Sequence, residues 1–217
     1  MQADDVKDYL KNNPSFFEQN ASFLADIQLP SPHGSGTISL AERQQLAQRD
    51  KINAIKEQLA NIVINAQENE ATANKIHSFN IELHQAKNFD AIEQIISTLL
   101  PEHFNLSDTC LRLWATPSDA ANAANLVFSA VSDDAKTWIN ALNKPFCGKP
   151  PAITADDWFI ETAASVAIIQ LDNHIGFLAL ASDDENRFFS EMGTDFLSKI
   201  GAILSAALSR YLAKPNI

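Results

Sequence analysis

The stretch SVAIIQLDNHIGFLALAS, residues 165–182, decides the fold. Two apolar runs, 165–172 and 175–182, meet at the turn pair Asn173-His174, and strand-like runs joined through Asn read as an antiparallel hairpin. Downstream, the charged stretch 183–187 separates the hairpin from a helix that should begin near Ser190 and bury Phe196, Leu197, Ile200, Leu204, Ala207, Leu208 and Tyr211 at helical spacing. Upstream, TCLRLWA (109–115) and NLVFSAV (125–131) also read as strands. DDAKTWINAL (133–142) reads as a helix, and NKPFCGKPPAIT (143–154) carries too much Pro and Gly to be regular. FDAIEQIISTLL (89–100) puts Ile92, Ile95, Ile96 and Leu99 on one helical face before Pro101. Helix, strands, helix, hairpin, helix is the order of an α+β domain whose antiparallel sheet is covered by helices on one face.

Before this domain lies a different pattern. Ser39-Leu40-Ala41-Glu42 is a capping box, so a long helix should begin there, and no Gly or Pro follows until Pro101. Along it Ile52, Ile55, Leu59, Ile62, Ala66, Asn69, Ala73, Ile76, Asn80 and Leu83 alternate by three and four, with the two asparagines as its polar members. An amphipathic helix lying on its own domain would follow a 3.6-residue period. A seam that keeps a 3.5-residue phase over so many turns favours a coiled coil, with Asn69 and Asn80 setting register. The expectation is a homodimer paired through these ten positions. His77 and His84 lie about 10 Å apart along the helix axis, too far for one ion to bridge within a chain. They read as surface residues.

At the N-terminus, Asp4 or Asp5 can cap a short helix bearing Val6, Tyr9 and Leu10; Asn13-Pro14 interrupts it, and further short pieces carry Phe16, Phe17, Phe23, Leu24 and Ile27. So many aromatics on three short helices cannot bury one another and call for a docking partner, in the same chain or another. LPSPHGSGTI (29–38) reads as a linker. The expected organisation is 1–38 as helical segment and linker, 39–87 as dimerisation helix, and 88–217 as the sheet domain.

Sixteen Lys and Arg against 27 Asp and Glu leave a formal charge of -11, with no basic run, which disfavours nucleic acid and anionic lipid as partners. The acidic start is no signal peptide and no stretch has the ~20 apolar residues of a span, so no membrane association and a cytoplasmic location are expected. Cys110 and Cys147 form no CxxC pair and read as reduced thiols near the core. No cofactor or metal is called for.

The order of elements resembles a GAF domain over roughly 88–212. Three signatures resemble the bacterial domain-of-unknown-function family 484: Val6, Tyr9, Leu10, Asn13, Pro14, Phe16 and Phe17; Ser39, Leu40, Glu42, Arg43 and Gln44; and Gly176, Leu178, Ala179, Leu180, Ser182, Asp184, Arg187 and Phe188 followed by Met192, Gly193, Thr194, Phe196 and Leu197. Ala181 and Ser190 depart from the glycine and proline that are usual there. The resemblance implies a GAF-like sensory or dimerising fold in a bacterial cytoplasmic setting, with no established activity.

Two clusters carry chemistry. Arg187 has Asp183, Asp184 and Glu191 as neighbours; an internal salt bridge clamping the corner is its plainest role, and an anion site with nearby helix amides is the alternative. Strand alternation puts Cys110, Arg112 and Trp114 on one face. Trp138, Phe146, Trp158 and Phe159 come from the helix and loop that in GAF domains roof the ligand cleft. An Arg among aromatics suits a planar or anionic small molecule, whereas plain core packing is the competing use of the same rings. Arg112, Trp114, Phe146, Trp158 and Arg187 are therefore the ligand candidates. Three functions compete: a noncatalytic regulatory module whose output passes to a protein partner through the Phe-rich N-terminal segment, an adaptor with no ligand, and a cysteine-based redox enzyme. No nucleophile elbow, P-loop or HExxH motif is present.

Overall fold

The computed structural model describes residues 2–31, 37–154, 158–159 and 163–213, without the side chain of Ala25. The chain divides into two compact units, residues 1–67 and 68–217.

The first unit opens with α1 (Ala3–Asn12), α2 (Ser15–Gln19) and α3 (Ala21–Asp26). The start of α1 is closed by Asp5, whose carboxylate accepts the Gln2 amide at 2.8 Å. Tyr9, Phe16 and Phe17 make an edge-to-face chain with centroids 6.2 and 6.0 Å apart, yet no residue of α1 or α2 is buried. Strands β1 (Gln28–Pro30) and β2 (Thr37–Ser39) then pair antiparallel, Leu29 opposite Ile38 and Pro30 opposite Thr37. This corrects the reading of 29–38 as irregular linker throughout: in a two-stranded ladder both strands are edges, where Pro costs no central hydrogen bond. Pro32, His33, Gly34 and Gly36 fall outside the described residues.

Helix α4 (Leu40–Gln85) runs 46 residues. The capping box forms as its sequence requires: the Ser39 amide donates to Glu42 Oε2 at 2.9 Å and the Glu42 amide to Ser39 Oγ at 3.3 Å. The hydrogen bonds from the Ser39 amide and hydroxyl hold the Glu42 carboxyl below its ordinary range. Its last turns belong to the second unit, where Ile76, Phe79 and Leu83 are buried.

The second unit continues with α5 (Phe89–Gln94), capped by Asn88 Oδ1 accepting from the Ala91 amide at 3.0 Å. A π-helical stretch, Ile95–Leu99, leads into α6 (Leu100–Phe104), which ends at Asn105 in the left-handed conformation. Pro101 thus lies inside continuous helical backbone rather than closing it. Strand β3 (Asp108–Leu113) follows. The run 125–131, expected as a strand, instead holds a 3-10 turn at Leu126–Phe128, just after another at Ala120–Ala124. Asn125 Oδ1 accepts from the Val127 amide at 2.9 Å and competes locally with any ladder. Then come α7 (Asp133–Asn140), β4 (Phe146–Gly148), β5 (Ser165–Gln170), β6 (Gly176–Ser182) and α8 (Asp195–Leu208). The three-residue β4 corrects the reading of 143–154 as wholly irregular; it is an edge strand, where neighbouring Pro and Gly are tolerated.

The sheet is antiparallel in the order β3-β6-β5-β4. Its hairpin is the one read from 165–182, although the reversal takes 172–175, with the Leu171 amide donating to the Gly176 carbonyl at 3.0 Å and Asn173 and His174 at φ 58° and 55°. Alternation sorts the strands onto two layers. Leu111, Leu113, Ala167, Ile169, Leu178 and Leu180 pack with the end of α4, α5, α6 and α8; Cys110, Val166, Ile168, Phe177 and Ala179 pack with α7 and Trp158. The α+β class stands, with both sheet faces covered rather than one. That is why β5 and β6 read as near-continuous apolar runs.

Candidate functional site

Across the second sheet face Arg112 stands opposite Phe177, which stands opposite Gln170 on β5. Phe177 is the centre of this face: Trp158 lies against it at 4.4 Å between centroids and Trp114 at 6.3 Å. Trp114 Nε1 donates to the His174 carbonyl, and the Arg112 guanidinium donates to the Leu111 carbonyl at 3.1 Å. Trp138 and Phe146 meet edge to face at 5.3 Å beside this group. Arg112, Trp114 and Phe146 are half-buried; Trp158 is 5% exposed. Four of the five ligand candidates therefore share one face. Phe177 was the residue missed: alternation turns it away from Gly176 and Leu178, and only its pairing with Arg112 puts it on the face of Cys110 and Arg112.

Arg187 is not part of that group. Its Nη2 donates to the Phe104 carbonyl at 3.1 Å, and its guanidinium lies 5.8 Å from the Phe188 ring centroid. Among the described residues it makes no carboxylate ion pair, so the expected salt bridge to Asp183, Asp184 or Glu191 is corrected. The physical reason lies at the end of α6, whose last carbonyls lack helical partners and carry partial negative charge, and so attract a cation. The acidic neighbours serve the turn instead. Asp184 Oδ1 accepts from the Asn186 amide at 2.9 Å, the buried Ser165 Oγ donates to the Asp184 carbonyl at 2.6 Å, and the Ser182 Oγ accepts from the Asp184 amide at 3.1 Å. The charged stretch is a corner, strapped by one arginine to a helix end. Helix α8 starts only at Asp195, and the Thr194 side chain makes no capping bond.

The two cysteines occupy opposite layers and the two outermost strands. Cys110 pairs with Ala179 and Cys147 with Ala167, so two strands separate them and their side chains project to opposite faces. At about 4.8 Å per strand they lie about 14 Å apart, more than twice a disulfide's reach. Burial pushes the Cys147 thiol up to about 11, partly offset by Lys144. Both sulfurs of the folded chain should therefore react slowly with an aromatic disulfide reagent at pH 8, and at the rate of an unstructured thiol once denaturant is added. Fast native labelling would contradict this burial. Because the folded Cys147 pKa lies above its unfolded value, its contribution to stability is present below about pH 9 and fades as pH rises through 11.

The ten seam positions divide. Ile52, Ile55, Leu59 and Ile62 are 51%, 52%, 59% and 63% exposed, and Ala66, Asn69, Ala73 and Asn80 are exposed as well. Ile76 and Leu83 are buried in the core of their own chain together with Phe79. Along this end of α4, grooves of about 440 and 230 Å³ separate it from α8. Arg210 Nη2 reaches across to the Leu83 carbonyl at 3.1 Å and closes one end of α4.

A family described as "Protein of unknown function, DUF484" matches residues 1–213. The chain belongs to this family. Among its curated relatives, the "Uncharacterized protein YigA" of Salmonella typhimurium is 22% identical over 96% of this chain and 92% of its own length. The proteins of that name from Shigella flexneri and Escherichia coli are each 23% identical over the same shares. As a DUF484 member the chain has bacterial relatives aligned along almost its whole length. Among the described residues no helix is long and apolar enough to cross a membrane.

Proposed function

We propose that this protein is a noncatalytic, GAF-like regulatory module that homodimerises along α4 in the cytoplasm. The observation that carries this reading is the row of Ile52, Ile55, Leu59 and Ile62, each more than half exposed on a helix with no turn-breaking residue. Single exposed apolar residues need no explanation, but a heptad-spaced row of four does. The face around Phe177 supports a ligand role, because Arg112 stands opposite Phe177 on a face that also carries Trp114, Trp158 and Phe146, and an arginine on a face of rings suits a planar, anionic small molecule. The unburied Val6, Tyr9, Phe17 and Phe23 support a protein partner for the N-terminal segment.

A second reading, a ligand-free adaptor, is favoured by one observation. Trp158 is almost fully buried against Phe177, as a filled core would have it. Native mass spectrometry of protein purified without added ligand separates the two. The regulatory reading expects a retained small molecule, lost or weakened by Arg112→Met; the adaptor reading expects the bare chain mass in every charge state. A thiol redox enzyme is the least supported reading, since Cys110 and Cys147 cannot serve as attacking and resolving partners within one chain.

A further inference from the structure

The ladder between β4 and β5 ends early. β4 pairs Phe146, Cys147 and Gly148 with Ile168, Ala167 and Val166, and the same register would set Pro145 opposite Ile169 and Lys144 opposite Gln170. Neither of those pairs forms. On the other side of β5 the Leu171 amide donates to the Gly176 carbonyl, so Leu171 and Ile169 turn their backbone groups to β6. Gln170, between them, turns its N–H and C=O the other way, to the edge that β4 does not reach. A groove of about 180 Å³ lies along that edge, lined among others by Lys144 and Pro145, by Gln170 and Asp172, and by Ser198 and Ala202 of α8. Gly201 lets α8 come this close: a Cβ there would stand 2.6 Å from Ile169 Cγ2 and 3.6 Å from the Gln170 carbonyl oxygen.

Opposite charges line this groove without neutralising each other. Lys144 and Asp172 are both exposed, and among the described residues neither makes a salt bridge. The charge of Lys144 reaches the α8 side of the sheet, since it partly offsets the burial of the Cys147 thiol, which packs there. No aromatic ring lines the groove, and one lysine beside one aspartate presents no net charge. A planar ring, a phosphate and a divalent cation are each poorly matched to such a lining.

We propose that this groove binds a free α-amino acid of about alanine's size, which takes the ladder position opposite Gln170. An antiparallel ladder joins the N–H and C=O of one residue to the C=O and N–H of the residue facing it. A free amino acid carries the same donor and acceptor on one Cα, as ammonium and carboxylate. Its carboxylate accepts from the Gln170 amide and the Lys144 ammonium, and its ammonium donates to the Gln170 carbonyl and the Asp172 carboxylate. Such charge-assisted hydrogen bonds are the stronger kind. The volume corresponds to roughly six water molecules' share of the liquid, which suits a small side chain. The groove lies on the α8 side of the sheet, away from the Phe177 face, and the proposal depends neither on that face nor on dimerisation.

The test is an amide-resolved NMR titration of the isotope-labelled full-length chain with L-alanine. The Gln170 amide should shift saturably at millimolar alanine, the affinity expected of so small a ligand in an open groove, together with the amides of Lys144 and Ser198. Acetate and the uncharged N-acetylalanine methylamide should each bind at least about tenfold more weakly, since each gives up charge-assisted bonds. Lys144→Met and Asp172→Asn should each weaken alanine binding about fivefold or more, with an unchanged thermal midpoint because both positions are exposed. Four results would overturn the proposal. One is a Gln170 amide that alanine does not move. Another is acetate binding as tightly as alanine, the mark of a simple anion site. A third is equal binding of the capped compound, the mark of an edge that takes any extended peptide. The last is a Lys144→Met or Asp172→Asn chain that binds alanine as the wild type does.

Discussion

A chain carrying Leu59→Asp and Ile62→Asp is expected to sediment as a 23.8 kDa subunit, with the far-ultraviolet spectrum of the wild type. Both side chains are about three-fifths exposed, so the fold of a single copy depends on neither, and the helix-propensity loss is about 0.5 kcal/mol at each position. In a seam the same changes place four carboxylates at the centre of the pair. Each loses several kcal/mol of hydration without a cation opposite it, and the four repel one another. A micromolar dimer is held together by only about 8 kcal/mol, so the double variant should not associate at any practical concentration. The measurement is sedimentation velocity with a circular dichroism spectrum on the same sample. A variant that keeps the dimer mass would remove the seam from the account.

The second large effect lies in the sheet. Gly176→Ala should lower the thermal midpoint by roughly 6–12 °C, corresponding to about 3 kcal/mol in a chain of this size. A Cβ at Gly176 would stand 2.1 Å from the Arg112 carbonyl oxygen, 2.7 Å from Leu113 Cδ2 and 3.0 Å from Leu113 Cα. A carbonyl fixed in the β3–β6 ladder cannot swing away as a side-chain tip can. Relief therefore means opening the ladder where Leu113 and Gly176 pair. Gly193→Ala is the matched control: nothing lies within 4 Å of its Cβ position, and its midpoint should stay within the ~0.5 kcal/mol expected of a surface change. Equal midpoints for the two variants would show that β3 yields where the geometry says it is held.

The parts of this architecture that were legible in the sequence are those fixed by neighbours a few residues away. Ser39 and Glu42 announce the start of α4 because a capping box is closed by its own four residues. The β5–β6 hairpin is legible because both strands carry their apolar pattern up to the reversal. What was not legible depends on partners distant in the chain. The run 125–131 has a strand's composition, but Asn125 turns the backbone; Val127 and Val131 go into the core, and Phe128 packs half-buried against Phe89. β4 exists because β5 offers it an edge. Arg187 has acidic residues within four positions, yet it binds a carbonyl 83 residues upstream, because a helix ends there with an unmatched oxygen.

The candidate site follows the same division. Alternation alone placed Arg112 and Trp114 together, whereas Phe177 joins them only through the β3–β6 register. The packing of Trp158 on Phe177 joins a Pro-rich loop to a strand, and no local pattern encodes that. On α4, the 3-4 alternation of Ile76 and Leu83 is indistinguishable in sequence from that of Ile55 and Ile62. Only the folded chain shows that the first two, with Phe79, are spent on its own core. A heptad seam and an amphipathic docking face use the same apolar residues, and here one helix carries both.

Sedimentation equilibrium of the unmodified full-length chain at micromolar concentration tests the central claim most directly. The account predicts a mass of twice 23.8 kDa, independent of salt because none of the ten seam positions is charged. A mass of 23.8 kDa across that range would contradict it and leave the isoleucine row without a partner.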